Sequence, residues 1–121
     1  MQNLDFPFEP TDDIRADYAP NVIWDAPRRG VSWMGRDKVV ANLRREVAAM
    51  QGLQFTRLRR HRGDVQIIDE FVARFTYGGE GIENVALPPG ATVELERLRI
   101  LILANNLVTL ETVIETWTVL D

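Results

Sequence analysis

A carboxylate among apolar side chains is well suited to move protons near neutral pH, because desolvation raises its pKa. The segment 65–77, VQIIDEFVARFTY, offers one such group. Alternate side chains of a strand share a face. The odd positions are Val65, Ile67, Asp69, Phe71, Ala73, Phe75 and Tyr77, and Asp69 is the only charge among them. Asp69 is therefore a candidate general acid or base. If an arginine pairs with it, the role becomes structural instead. The segment VELERLRIL divides less cleanly. Glu94 and Glu96 share a face with Leu98 and Ile100, while Arg97 and Arg99 share the other with Val93, Leu95 and Leu101. Both faces mix charge with aliphatic residues, so alternation leaves the inward one open.

Other reactive residue types are scarce. His61 is the only histidine and cysteine is absent. Those counts remove His- and Cys-ligated metal, disulfides and thiolate nucleophiles, and no cofactor is expected. His61 lies at a strand end beside a turn, the setting of a surface histidine. Arg57, Arg59, Arg60 and Arg62 raise the question of RNA. Alternation splits them over two faces, and no aromatic residue interrupts the run. A net charge of -4 leaves the chain without the surplus of cations that phosphate binding needs. No nucleic-acid partner is expected, and the run reads as a solvated strand face.

The elements that must position these residues follow from periodicity. Thr11 is an N-cap candidate for a short helix with Asp12 and Asp13 in its first turn, Ile14 and Tyr18 on one face, and Pro20 as its stop. Residues 1–10 form an irregular tail in which Phe6 and Phe8 can pin the chain to a core. NVIWDA reads as a strand ended by Pro27, and residues 28–35 as a loop that holds Trp33 and Met34. From Asp37 to Met50, Val39, Val40, Leu43, Val47 and Met50 recur at helical spacing, with Arg44, Arg45 and Glu46 outside the stripe and Gly52 as the stop. Four strands then follow: LQFTRLRRH, VQIIDEFVARFTY, ATVELERLRILIL and LVTLETVIETWTVL, joined at Gly63-Asp64, a connector after Gly78, and Ala104-Asn105-Asn106. Helices followed by hairpin-linked strands make an α+β domain. Strands of about a dozen residues exceed the usual length and must bend, and a concave apolar face is where small molecules bind.

Length bounds the whole. At 121 residues the chain is one domain, 1–121. The longest apolar run, LRILILANNLV, is broken by Arg99, Asn105 and Asn106, so no membrane span is expected. The acidic start MQNLDFPFEP lacks the pattern of a signal peptide. A cytoplasmic location is the resulting expectation.

The run YAP, a strand bearing WDAP, an eight-residue loop, GRD and an amphipathic helix resemble the nuclear transport factor 2-like superfamily. The likeness is narrower to its SnoaL-like polyketide cyclase and ketosteroid isomerase branches, and it extends from Thr11 to Asp121. The resemblance implies a cone-shaped single domain. A strongly curved, mostly antiparallel sheet would pack on two to three helices and enclose a pocket. It also implies a small hydrophobic ligand of cyclic or polyketide-like size, with acid/base isomerase, cyclase or hydrolase chemistry open, and a homodimer built on the outer sheet face, where Trp117 would lie. The alternative is a non-catalytic dimerisation or protein-interaction module. Trp24, Ala26, Leu43, Phe71, Phe75 and Leu98 are the expected ligand contacts. Strand order sets Glu96 near the isomerases' oxyanion-hole carboxylic acid, where with Asp69 it would make an acid/base pair. Salt bridging to neighbouring strands is the other reading. The cyclases suggest a His61–Asp69 pair. The limonene epoxide hydrolases suggest a carboxylate–arginine–carboxylate set from Asp69, Arg97 or Arg99, and Glu115. Two departures matter. The first helix is short for the family, and Ala26 stands where the steroid isomerases carry their base. Adjacent Asp25 points to the opposite face.

Overall fold

The computed structural model of the chain describes residues 15–120. Its elements are β1 (Tyr18–Ala26), β2 (Val31–Met34), α1 (Arg36–Ala48), β3 (Met50–Arg62), β4 (Gln66–Tyr77), β5 (Thr92–Ala104) and β6 (Leu107–Val119). The strands form one six-stranded sheet in the order β2-β1-β6-β5-β4-β3. Every pairing is antiparallel except β1 with β6. The α+β sheet expected from the sequence is present, with one helix among the described residues. The expected tail and the cap at Thr11 lie outside those residues.

Tyr18, expected on the short helix, and Pro20, expected as its stop, both belong to β1. Proline fits there because the pairing with β6 shifts between Tyr18 and Ile23, which leaves a stretch without ladder bonds. The expected loop 28–35 contains β2, paired so that Trp24 faces Trp33. Helix α1 starts at Gly35, whose φ of 95° suits glycine, and carries Asp37 in its first turn and Arg45 in its last, both matched to the helix dipole. Val39, Val40 and Leu43 are buried against the sheet, and so is Glu46. The chain passes from α1 almost directly into β3, so Gly52 does not end the helix. With φ of 64° it sits where β3 slips register between Gln51 and Gln54. A second slip between Arg57 and Arg59 bends β3 again. Asn105 and Asn106, with φ of 53° and 64°, make the tight β5–β6 turn that strand twist favours.

Side chains of the odd β4 positions from Ile67 to Tyr77 are buried, while Val65 lies exposed before the strand. On β5 the inward set is Val93, Leu95, Arg97, Arg99, Leu101 and Leu103, and on β6 it includes Glu111, Val113 and Glu115. The interior therefore holds charge as well as aliphatic bulk.

The β4–β5 connector, residues 78–91, folds back on the end of α1. Gly78 N–H donates to the Ala49 carbonyl at 2.9 Å, and Ile82 is buried. Gly81 has φ of 111°, and a Cβ there would lie 2.9 Å from the Arg45 carbonyl oxygen. Both strain and collision with backbone follow from any side chain. Gly81→Ala is expected to lower stability by about 2 kcal/mol, read as a drop in melting temperature. An unchanged melting curve would mean that the connector is not fixed at this point.

Candidate functional site

Asp69 is on the interior face and fully buried. It accepts from Arg57 Nε at 2.8 Å, and the guanidinium nitrogens of Arg60 and Arg99 each lie 3.5 Å from its second oxygen. The two arginines of β3 reach it because of the slip between Arg57 and Arg59. Strict alternation would set Arg57 and Arg60 on opposite faces, and the extra residue brings both inward. Arg99 continues the chain of charges, donating to Glu111 at 3.0 Å, and Glu111 accepts from the Tyr18 hydroxyl at 2.6 Å. Burial would favour a neutral Arg99, but Glu111, Tyr18 and Asp69 outweigh it and hold the guanidinium charged. Burial, reinforced by Glu111, pushes the Tyr18 hydroxyl well above its ordinary value.

Glu96 lies on the other face of the sheet and is exposed. Its cross-strand partners are Val72 and Thr116, so it does not meet Asp69. Leu98 shares that outer face. The reason is that β5 turns its arginines inward, where Glu111 and Glu115 of β6 receive them. His61 is exposed and opposite Ile68, whereas Arg60 is opposite Asp69, so the histidine–aspartate pair is not formed. The expected set of Asp69, an arginine and Glu115 is also divided: Arg99 serves Asp69, and Arg97 serves Glu115.

That second arginine belongs to a separate cluster. Arg29, in the β1–β2 turn, donates through Nε to Glu115 at 2.9 Å and through Nη1 to Glu46 at 3.0 Å. Arg97 donates to Glu115 at 2.8 Å and lies 3.6 Å from Glu46. All four side chains are at most 4% exposed. The Arg29 guanidinium lies over the Trp24 ring at 5.3 Å and over the Trp117 ring at 5.4 Å. Trp24 also stacks on Trp33 with centroids 4.1 Å apart, worth about 1 kcal/mol beyond burial. Trp117 is half-buried and lies edge-on to Phe75, on the interior face of β6. Burial raises the Glu46 carboxyl above its ordinary 4.5 against the pull of Arg97 and Arg29.

Four buried polar atoms of this cluster have no hydrogen-bond partner: Arg29 Nη2, Glu46 Oε1, Trp24 Nε1 and Trp117 Nε1. Buried polar groups are normally satisfied, so four in one contact group mark a place where something else can bind.

The connector covers this cluster. The Glu83 carbonyl accepts from Arg29 at 3.2 Å, and Asn84 donates to the Arg29 carbonyl at 3.1 Å. The Glu83 carboxylate accepts from Trp33 at 3.1 Å and from Arg45 at 2.7 Å. Burial opposes its charge, but those bonds outweigh burial and hold it below its ordinary 4.5. On its outer side Glu83 borders a groove of about 590 Å³, walled also by Arg45, Ala48, Ala49, Gln51, Gly78, Glu80, Gly81 and Ile82. Of the expected ligand contacts, Trp24, Ala26, Leu43, Phe71 and Phe75 are all interior and buried. None of them, nor Leu98, walls this groove or two smaller clefts elsewhere on the surface. No three His, Cys, Asp or Glu side chains among the described residues are grouped to hold a metal ion.

With this geometry in hand, comparison with solved structures defines the class: the chain has the nuclear transport factor 2-like fold. It is similar to a protein of that fold and unknown function from Cytophaga hutchinsonii, with 15% identity, 95% of this chain and 91% of the other covered, and a TM-score of 0.73. It is also similar to a steroid delta-isomerase from Pseudomonas aeruginosa, with 14% identity, 95% and 73% covered, and a TM-score of 0.65. An epoxide hydrolase from M. tuberculosis aligns at 15% identity, 95% and 73% covered, with a TM-score of 0.63. No family model and no curated protein matches the sequence. The fold expected from the opening helix-and-strand pattern is thus the observed one.

Arg29 and Glu46 are the site residues that sequence reading missed. For Glu46 a signal existed, since it lies three residues after Leu43 and seven after Val39, on the buried stripe. Arg29 sits in a turn, where no periodicity operates. Asp69→Asn is expected to destabilise the fold by about 3 kcal/mol, because the neutral amide leaves three arginines without their shared counter-charge. Chemical denaturation measures it, and a loss below about 1 kcal/mol would mean that the cluster is solvated and not locked.

Proposed function

We propose that this chain is a small-molecule-binding domain whose ligand occupies the interior beside Arg29, Glu46, Trp24 and Trp117. The observation that carries this reading is the group of four buried polar atoms without a hydrogen bond under the connector. The neighbouring groove supplies Ala48, Ala49 and Ile82 as apolar wall, so a ligand with a cyclic apolar body and a polar head suits the two regions together. Acid/base turnover, if this ligand is a substrate, falls to Glu46, whose buried carboxyl is held toward its neutral form. Asp69 is ion-paired with three arginines and Glu96 faces outward, so the reading assigns that role to neither. The steroid isomerase and epoxide hydrolase neighbours support a fold that accommodates such chemistry.

The test is a thermal-shift screen of small cyclic organic compounds. Hits should raise the melting temperature of the native chain. Ala48→Trp, which fills the groove from an exposed position, should abolish that response with the unliganded melting temperature unchanged. A full response in the filled variant would move the binding region elsewhere.

A second reading concerns assembly. The outer face of β4, β5 and β6 presents Ile68, Leu98, Ile100, Ile102, Leu110 and Ile114, half-buried and contiguous across the registers Ile68–Ile100 and Leu98–Ile114. Helix α1 packs on the opposite face. At its margin Arg74 and Glu94 are salt-bridged to each other at 2.9 Å, so the patch that a second copy would cover is the aliphatic one. The homodimer predicted here should sediment as such at micromolar concentration, and Ile100→Lys should give a monomer. A monomeric native chain would overturn this reading and leave the binding site untouched.

A further inference from the structure

The donor inventory of the buried cluster narrows the ligand. Arg29 Nη2, Trp24 Nε1 and Trp117 Nε1 are donors only. Their partner must bring acceptor atoms. A carboxylate offers two oxygens with about four lone-pair sites, whereas a ketone or ester carbonyl oxygen offers about two. Charge is the second constraint. Glu46 faces Arg29 from the β1–β2 turn, Arg97 from β5 and Glu115 from β6. On its own helix Arg45 is turned to Glu83 of the connector, which in turn touches Arg29 through its carbonyl. Two guanidinium groups and two carboxylates balance in that set, so a further anion in the dry interior needs compensation.

We propose that the Arg29–Trp24–Trp117 cluster is a carboxylate-binding site, and that the ligand enters together with one proton that Glu46 takes up. The proposal rests on the small-molecule reading above and names the chemistry of its ligand. Glu46 is the member of the quartet suited to this. Its Oε1 accepts no hydrogen bond and meets Arg97 only across 3.6 Å, so it is the oxygen of the quartet with room for a proton, and its burial already favours the neutral acid. Glu115, in contrast, accepts from Arg29 and Arg97 on both oxygens and has no position for a proton. The sign follows: a ligand that requires neutral Glu46 binds well below the folded pKa of that group and progressively less well above it.

The experiment is isothermal titration of the whole chain with benzoate, and with benzamide as a neutral ligand of the same shape, from about pH 5 to about pH 8. Benzoate should bind with uptake of one proton, seen in buffers of different ionisation enthalpy. Its affinity should fall by about tenfold per pH unit above the Glu46 titration. Glu46→Gln should bind benzoate without that slope, and Trp117→Phe, which keeps the ring and removes the N–H, should bind it about fivefold more weakly. Proton uptake by the native chain decides the matter even if a variant fails to fold. Zero uptake, or a slope retained in Glu46→Gln, overturns the proposal. Binding of benzamide but not benzoate overturns it too while the small-molecule reading stands. Binding of neither at about 10 mM removes both.

Discussion

The contact on which the interior depends is the buried guanidinium of Arg29. It joins elements far apart in sequence: the β1–β2 turn, α1 through Glu46, β6 through Glu115, and the β4–β5 connector through the Glu83 carbonyl. Charge buried in this way contributes little net stability, since desolvation offsets most of the Coulomb gain. What it supplies is geometry. Each carboxylate accepts from a defined nitrogen, so the helix cannot rotate and the connector cannot slide without leaving a charge unpaired. Two indole rings beside the guanidinium exclude water from the same place, which makes any mispairing costly.

The two charged clusters differ in the property that matters for binding. Around Asp69, three arginines from β3 and β5 converge on one carboxylate, and Arg99, Glu111 and Tyr18 extend the chain of bonds. A carboxylate engaged on both oxygens by cations behaves as a structural junction, here between the edge strand β3 and the sheet centre. The Arg29 cluster is balanced in charge but incomplete in hydrogen bonds. Each cluster keeps one carboxylate oxygen without a hydrogen bond, Asp69 Oδ2 and Glu46 Oε1, so what distinguishes the Arg29 cluster is its two indole N–H groups without an acceptor.

Much of the fold was legible because it depends on local pattern. The apolar odd face of β4 identified Asp69 as interior, and the Asn105-Asn106 pair announced the last hairpin. The rest was not legible for physical reasons. Register slips change which face a residue occupies: the slip between Arg57 and Arg59 brings Arg57 and Arg60 of an otherwise solvent-facing run to the buried Asp69. The mixed faces of β5 have no intrinsic preference. Glu111 and Glu115 across the ladder decide it, and that decision sends Arg97 inward and Glu96 and Leu98 outward. Trp117 follows the parity of Glu115 for the same reason.

The exchange at the end of β1 has an electrostatic consequence. In the steroid isomerases that this stretch resembles, a carboxylate at the position of Ala26 gives the interior a negative group on this wall. Here that position is a buried methyl, and three residues later the turn delivers a buried cation instead. A base next to the ligand favours removal of a proton from it, whereas a cation flanked by donor N–H groups favours an acceptor that is already negative. The cation does not stand alone, since Glu46 and Glu115 both accept from it, so this wall carries an ion-paired set in place of a single group. Part of the compensating charge comes from α1, where Glu46 accepts from Arg29 through one oxygen and lies 3.6 Å from Arg97 through the other.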